Sequence, residues 1–247
     1  MSIRINKYFT EQGYCSRREA DKLIETKQVT INGRIAVLGD QVEETDIVTL
    51  SGKQILFNPK RTYIMYNKPR GVTCTTDLKI SGNIIEAVNH HIRVFPIGRL
   101  DKDSSGLIFL TNDGDIVNQI LRAQFGHEKE YVVELYKNFD DSFMTGMGSG
   151  VDLGDHTTKP CKVSRVDNKT FKIILTEGKN RQIRRMCEFF KHKVKTLKRI
   201  RIMNILIKDL PEAKWKDIPS VELQELKDIL SKNATTPVSE ELETLEE

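Results

Sequence analysis

The sequence predicts an α+β protein of two domains, the larger of which has a mostly antiparallel sheet. The chain has 247 residues, which corresponds to between one and two domains of typical size. Strand-length apolar runs and helical stretches alternate without the strict strand–helix–strand rhythm of a parallel sheet. The charge also divides the chain, because residues 53–210 carry a net charge of +11, whereas residues 1–52 carry −1 and residues 211–247 carry −6. A basic central region indicates a polyanionic partner such as RNA.

Residues 1–52 are predicted to form a small domain of two short helices followed by short strands. Ser16 and Glu19 have the spacing of a capping box, in which each side chain binds the other residue's backbone N–H group. Asn32-Gly33 lies between two short strand-like runs and has the sequence of a type I′ hairpin turn. These two signals set the start of the second helix and the first strand pairing.

The order of these elements resembles the S-four-like (alpha-L) RNA-binding domain, through Ser16-Arg17-Arg18-Glu19-Ala20 and Val29-Thr30-Ile31-Asn32-Gly33. From charge alone, the basic residues of the helices are equally well explained as a solvated face. The resemblance implies that they bind RNA. The residues concerned are Arg4, Lys7, Arg17, Arg18 and Lys22.

The remaining chain is predicted to consist of a linker at 53–61, a second domain at 62–232 and an acidic tail at 233–247. Apolar runs predict strands at 63–66, 107–110, 131–135 and 171–175. Amphipathic stretches predict helices near 83–89, 113–123 and 181–191. The tail has five Glu, no Lys or Arg and few apolar residues, so it is predicted to be disordered.

Residues 95–114 contain a polar loop, bounded by glycines, that leads into a predicted buried strand. Loops on rigid scaffolds are common positions for catalytic side chains. Asp101 lies in this loop close to Arg99 and Lys102, and nearby cations favour the ionised carboxylate that a nucleophile requires. A lone Asp in such a loop is more often a turn residue that binds its own backbone.

The chain is similar to RNA pseudouridine synthases of the RsuA/RluB/RluE/RluF family over about residues 3–225, and most similar to the RluF subgroup. Three motifs carry the resemblance. They are Gly98-Arg99-Leu100-Asp101 with the following Gly106-Leu107 and Leu110-Thr111-Asn112-Asp113-Gly114, then Lys129-Glu130-Tyr131-Val132-Val133, and finally Glu177-Gly178-Lys179-Asn180-Arg181-Gln182-Ile183-Arg184-Arg185-Met186. The resemblance implies that residues 62–232 form a pseudouridine synthase domain with a central cleft.

The resemblance also implies roles for three residues in the isomerisation of uridine to pseudouridine within RNA. Asp101 would be the catalytic aspartate, Tyr131 would lie against the uracil base, and Arg184 would pair with Asp101. Whether Asp101 acts as a nucleophile or as a base that removes a ribose proton stays open. Further RNA contacts are expected from Arg99, Lys102, Lys129, Arg181, Arg185, Arg199 and Arg201.

No cofactor is expected, because the reaction neither oxidises nor reduces its substrate, and the spacing of His and Cys residues favours no metal site. The resemblance to the RluF subgroup implies large-subunit ribosomal RNA as the partner. A structured stem-loop is the expected target, since the target base must leave its stack. Transfer RNA stays open as a further substrate. We expect a cytoplasmic monomer without a membrane partner, because no apolar run reaches the length of a membrane span and no signal peptide is evident.

Two other functions are compatible with parts of the sequence. The main alternative is a non-catalytic protein that binds RNA or the ribosome through the small domain and the basic region. A carboxylate glycosidase acting on free nucleosides is disfavoured, because Asp101 has no evident acid or base partner in the sequence.

Overall fold

The structure, a computed structural model, describes residues 2–55, 61–121 and 125–235 and confirms the predicted α+β class. The N-terminal domain contains two helices and two small antiparallel sheets. Its elements are β1 (Ile3–Arg4), α1 (Ile5–Glu11), α2 (Arg17–Glu25), β2 (Val29–Ile31), β3 (Arg34–Ile35), β4 (Gln41–Val42), β5 (Val48–Leu50) and β6 (Lys53–Ile55). The strands pair in the order β3-β2-β5-β6, with a separate β1-β4 pair.

Local signals in the sequence determine the N-terminal domain. Ser16 Oγ accepts a hydrogen bond from the Glu19 N–H group at 3.2 Å, and Glu19 Oε2 accepts one from the Ser16 N–H group at 2.7 Å. This capping box satisfies donors that a helix N-terminus otherwise leaves unpaired. Asn32 and Gly33 both have positive φ angles, of 50° and 81°, as a type I′ turn requires. Both predictions are confirmed.

The second domain is organised around a nine-stranded sheet with the order β11-β12-β10-β13-β9-β7-β15, to which β8 and β14 add at the side. All of its pairs are antiparallel except the parallel pair of β13 with β9. This confirms the mostly antiparallel mixed sheet. The elements are β7 (Tyr63–Lys68), α3 (Ile84–Val88), β8 (Phe95–Ile97), β9 (Ser105–Thr111), α4 (Gly114–Leu121), β10 (Lys129–Leu135), α5 (Asp141–Ser149), β11 (Lys162–Arg165), β12 (Thr170–Leu175), α6 (Gln182–Phe189), β13 (Val194–Ile202), β14 (Ile205–Leu206), β15 (Trp215–Asp217) and α7 (Ser220–Thr235).

The large sheet is buried on both faces. Along β9, Leu107 and Phe109 point into one apolar core, whereas Ile108 and Leu110 point into the other. Helices α3, α5 and α6 cover the face of Ile108, and helices α4 and α7 cover the face of Leu107. A strand buried on both faces is uniformly apolar, which explains why β9 stands out in the sequence.

The structure corrects two of the predicted boundaries. The linker was expected to begin at residue 53, but Lys53–Ile55 forms β6 and Ile55 is buried in the N-terminal core. The tail was expected to begin at residue 233, but α7 continues to Thr235. Parts of three predictions lie outside the described residues. They are residues 56–60 of the linker, residues 236–247 of the tail and the last two residues of the helix predicted at 113–123. Within the described ranges, no helix is both long and apolar enough to cross a membrane.

Ion pairs connect the two domains. Lys7 Nζ on α1 lies 2.7 Å from Asp115 Oδ1 at the start of α4. The Glu11 carboxylate, which is largely buried, lies 3.4 Å from Arg61 Nη2 and 3.5 Å from Lys7 Nζ. Lys7 is therefore a contact between domains, paired with two carboxylates. Its role in RNA binding stays a prediction.

Candidate active site

Asp101 lies in the loop between β8 and β9 at the centre of the large sheet. The loop is anchored on both sides of Asp101, since the Leu100 N–H group donates to Cys74 Sγ at 3.4 Å and the Lys102 carbonyl accepts from Gly71 N–H at 2.7 Å. A turn follows in which Ser104 N–H donates to the Asp101 carbonyl at 3.0 Å. The Asp101 side chain is about one-third exposed, so a fixed backbone presents an accessible carboxylate.

Among the described residues, Arg181 is the arginine that contacts Asp101. Its Nη1 lies 3.7 Å from Asp101 Oδ2, and its guanidinium also donates to both carboxylate oxygens of Asp103, at 3.3 and 3.4 Å. Arg181 has a left-handed backbone, with φ 48° and ψ 30°, immediately before α6. The exposed guanidinium thus bridges the carboxylates of Asp101 and Asp103.

Arg184 does not form the predicted pair with Asp101. Its Nη2 donates to the Asp103 carbonyl and to Ser104 Oγ, both at 3.2 Å, and lies 3.3 Å from Asp103 Oδ2. The side chain is buried on the inner face of α6, so it reaches the backbone behind Asp101 and not its carboxylate. Arg184 therefore positions the loop that carries Asp101.

Asp103 completes the link between this loop and α6. Partial burial raises the pKa of Asp103, but the hydrogen bond from Arg181 and the charge of Arg184 outweigh burial, so the net shift is downward. Asp103 is thus ionised at neutral pH and binds both arginines. Sequence reasoning did not select Asp103, although its position two residues after Asp101 offered a signal.

Tyr131 and Asp101 line the same cleft. The Tyr131 ring is 8% exposed and extends from β10 into a cavity of about 100 Å³ whose walls also contain Asp101, Arg181 and Leu197. A wider groove of about 910 Å³ leads to this cavity. It is bordered by Arg99, Lys102, Lys179 and Arg181. The structure therefore brings a carboxylate, an aromatic ring and a basic groove together, as the motifs predict.

Three predicted RNA contacts are engaged inside the protein. Arg185 donates to the Leu153 carbonyl at 3.0 Å and pairs with Asp155. Arg201 donates to Glu128 and Glu130, both at 2.9 Å. Arg199 is 4% exposed, and its Nε donates to the Leu107 carbonyl at 2.7 Å. On β13, Arg199 points into the protein and Arg201 points toward Glu128 and Glu130. The RNA contacts expected of Arg185, Arg199 and Arg201 stay predictions.

The other basic residues fall into two groups. Arg99, Lys102 and Arg181 are exposed at the cleft, whereas Lys129 is partly buried and its Nζ donates to the His127 carbonyl at 2.9 Å. On the N-terminal domain, four of the five predicted residues are exposed: Arg4, Arg17, Arg18 and Lys22.

In the part of the chain that the structure describes, no three His, Cys, Asp or Glu side chains are grouped as a metal site would require.

Comparison with known proteins identifies the family. The family model for RNA pseudouridylate synthase matches residues 62–189, and the model for the S4 domain matches residues 3–48. The dual-specificity RNA pseudouridine synthase RluF of Shigella flexneri is 51% identical over 229 residues, which is 91% of this chain and 78% of the relative. The RluF of Escherichia coli K12 is 49% identical over the same length.

More distant relatives agree. An uncharacterized RNA pseudouridine synthase of Aquifex aeolicus is 37% identical, over 92% of this chain and 94% of the relative. A crystal structure of a pseudouridylate synthase superimposes with a TM-score of 0.66 at 27% identity, covering 91% of this chain and 99% of the other. With its Asp101 cleft and its N-terminal S4 domain, the chain belongs to the RNA pseudouridine synthase family.

Proposed function

We propose that this isomerase converts uridine to pseudouridine in large-subunit ribosomal RNA and that Asp101 is its catalytic carboxylate. The observation that carries the proposal is the shared cleft of Asp101 and Tyr131 at the end of a basic groove. The similarity to RluF enzymes, named as dual-specificity RNA pseudouridine synthases, supports an RNA substrate. The words dual-specificity also support a second class of RNA substrate, such as transfer RNA. The proposal includes the cytoplasmic location and the monomeric state expected from the sequence.

The geometry supports a division of roles within the cleft. A uridine that leaves its stack needs an aromatic surface to replace the lost stacking, and Tyr131 offers one. Asp101 faces the ribose, either as the nucleophile at C1′ or as the base that removes a ribose proton. Arg181 places a positive charge 3.7 Å from this carboxylate. Arg184 keeps the loop of Asp101 in place through the Asp103 carbonyl and Ser104.

The reaction itself provides the test. Breaking the N1–C1′ bond and joining C5 to C1′ releases the proton on C5, so RNA carrying tritium at uridine C5 loses tritium to water. We expect release from large-subunit ribosomal RNA and none from small-subunit ribosomal RNA, with transfer RNA as a third sample. If no RNA releases tritium, the protein is the non-catalytic RNA-binding protein of the main alternative. Release from small-subunit RNA alone would refute the proposed substrate.

Arg17 and Lys22 test the RNA-binding role of the N-terminal domain. Both side chains are exposed on α2, so the double variant Arg17→Ala, Lys22→Ala should bind RNA more weakly without unfolding. Losing two phosphate contacts should lower the slope of log Kd against log salt by about 1.5 to 2, measured by fluorescence anisotropy over a salt series.

A matched control removes the same charge elsewhere. Lys162 and Lys169 are exposed on the β11–β12 hairpin at one edge of the large sheet. The variant Lys162→Ala, Lys169→Ala should retain the wild-type slope. Equal slopes for the two double variants would show that the N-terminal domain contributes only general charge.

A further inference from the structure

A second cavity lies beside the one that contains Asp101. Its volume is about 160 Å³, and the two cavities share Arg99, Tyr131, Glu177 and Gly178 in their walls. Much of the remaining wall is apolar: Ile97, Phe109, Ile120, Leu121 and Ile202. A largely apolar, recessed space of this size suits a single planar ring better than a hydrated phosphate group.

Three cationic side chains line this cavity: Arg99, which is exposed, and the less exposed Lys129 and Arg199. Arg199 is 4% exposed, and its Nη2 has no hydrogen-bond partner among the described residues. Burial, and secondly the charge of Arg199, lower the pKa of Lys129 to about 8. A buried cation is costly unless an opposite charge pairs with it. An unsatisfied guanidinium N–H group beside a second cation therefore indicates a site for a ligand that carries negative charge.

Nearby carboxylates are already engaged. Glu130 binds Arg201 at 2.9 Å. Glu177, which lines the cavity, accepts from Gln182 Nε2 at 2.7 Å and from the Lys159 N–H group at 3.1 Å. Neither carboxylate forms an ion pair with Arg199 or Lys129 in the described structure. The positive charge of the cavity is thus available to a ligand.

The sheet places both cations next to Tyr131. Lys129 precedes Tyr131 by two residues on β10, so the two side chains share one face about 7 Å apart along the strand. Arg199 on β13 is the direct cross-strand partner of Tyr131, and such partners have Cβ atoms about 5 Å apart on the same face. A base lying against Tyr131 therefore has one edge within reach of both cations.

We propose that Lys129 and Arg199 are further catalytic residues, which bind the uracil ring through its carbonyl oxygens and stabilise its negative charge while it is detached from the ribose. This inference rests on the proposed function. When the N1–C1′ bond breaks, its electron pair stays on the ring and is shared among N1, O2 and O4. The ring then uses an electron pair at C5 to form the C5–C1′ bond. The C5 proton leaves and N1 takes up a proton, so the isomerisation is balanced.

The variant Lys129→Met tests the proposal. Methionine fills the same space and removes a buried charge, so the fold should persist, as thermal unfolding can verify. Single-turnover pseudouridine formation at saturating RNA should fall about 100-fold, the usual loss when one donor to a developing anion is removed. The Kd for RNA should stay near the wild-type value. Lys129→Arg keeps a charge and should recover part of the rate, whereas Lys198→Met, an exposed lysine on β13, should match the wild type.

A change of substrate separates charge stabilisation from a structural effect. The fluorine of 5-fluorouridine withdraws electrons and stabilises the detached ring without help from the protein. Consumption of this nucleotide, followed by nuclease digestion and chromatography, should therefore show a much smaller deficit for Lys129→Met than uridine does.

Four results would overturn the inference. An unchanged rate with a raised Kd would identify the cavity as a phosphate site. An equal deficit with uridine and 5-fluorouridine would reduce Lys129 to a positioning residue. A wild-type protein that forms no pseudouridine in any RNA would overturn the proposed function and this inference together, whereas an active wild type with a fully active Lys129→Met would overturn only the inference.

Discussion

Asp101→Asn is expected to abolish tritium release from uridine-labelled RNA, with a loss on the order of 10⁴-fold or more, as for other enzymes that lose a reacting side chain. Asparagine has nearly the same shape but can act neither as the nucleophile nor as the base. The loop should keep its conformation, because its anchors are backbone groups of Leu100, Lys102 and Ser104. Single-turnover tritium release measures the effect, and an unchanged Kd for RNA shows that the substrate still binds.

Asp103→Asn is the matched control for this prediction. Asp103 lies two residues away in the same loop, but its carboxylate binds Arg181 and Arg184. Its replacement should weaken the attachment of the loop to α6 and reduce the rate far less than Asp101→Asn. The Asp103 backbone carbonyl, which also binds Arg184, remains in the variant. If Asp103→Asn were inactive and Asp101→Asn active, the assignment of the catalytic carboxylate would be wrong.

Sequence reasoning located the loop of Asp101 and the strand of Tyr131, because both rest on local patterns. The resemblance assigned the contact with Asp101 to Arg184, and the residues alone could not distinguish Arg184 from Arg181. In the helix predicted at 181–191 the two arginines are three residues apart and share one side. The left-handed backbone at Arg181 and the depth of α6 beneath the loop decide that Arg181 contacts the carboxylate. Both depend on tertiary packing, which no local pattern contains.

The densest run of lysines and arginines, at residues 179–201, shows a second limit of sequence reasoning. Charge alone indicates an exposed RNA-binding surface there, and no strand is predicted within it. In the structure, Val194–Ile202 forms β13, with Arg199 buried and Arg201 paired to carboxylates. A count of charges assumes that every charged side chain is exposed to solvent. Whether a side chain on a strand is buried depends on the neighbouring strands, which the count does not include. The helix α5 has no counterpart among the predicted helices, because glycines at 146, 148 and 150 are typical of a turn.

Gly106 joins the loop of Asp101 to the centre of the sheet and allows little substitution. It pairs with Arg199 in the parallel β9–β13 contact, and a Cβ atom there would lie 2.2 Å from the Arg199 carbonyl oxygen and 2.7 Å from its nitrogen. Both are backbone atoms of a central strand, so they cannot rotate away as a side chain would. The φ angle of +103° is also unfavourable for a residue with a Cβ atom.

Gly106→Ala is therefore expected to lower the free energy of unfolding by about 3 to 5 kcal/mol, from backbone strain together with overpacking. Gly154→Ala is the matched control, because Gly154 has a similar φ of +86° with no atom within 4 Å of the added carbon. The control should lose only about 1 to 2 kcal/mol, the cost of the φ angle alone. Urea unfolding measures both, and the difference between them isolates the contact with β13. If both variants lost the same free energy of unfolding, β9 and β13 would separate readily to admit the added carbon. The close contact of Gly106 with the Arg199 backbone would then not be a rigid feature of the fold.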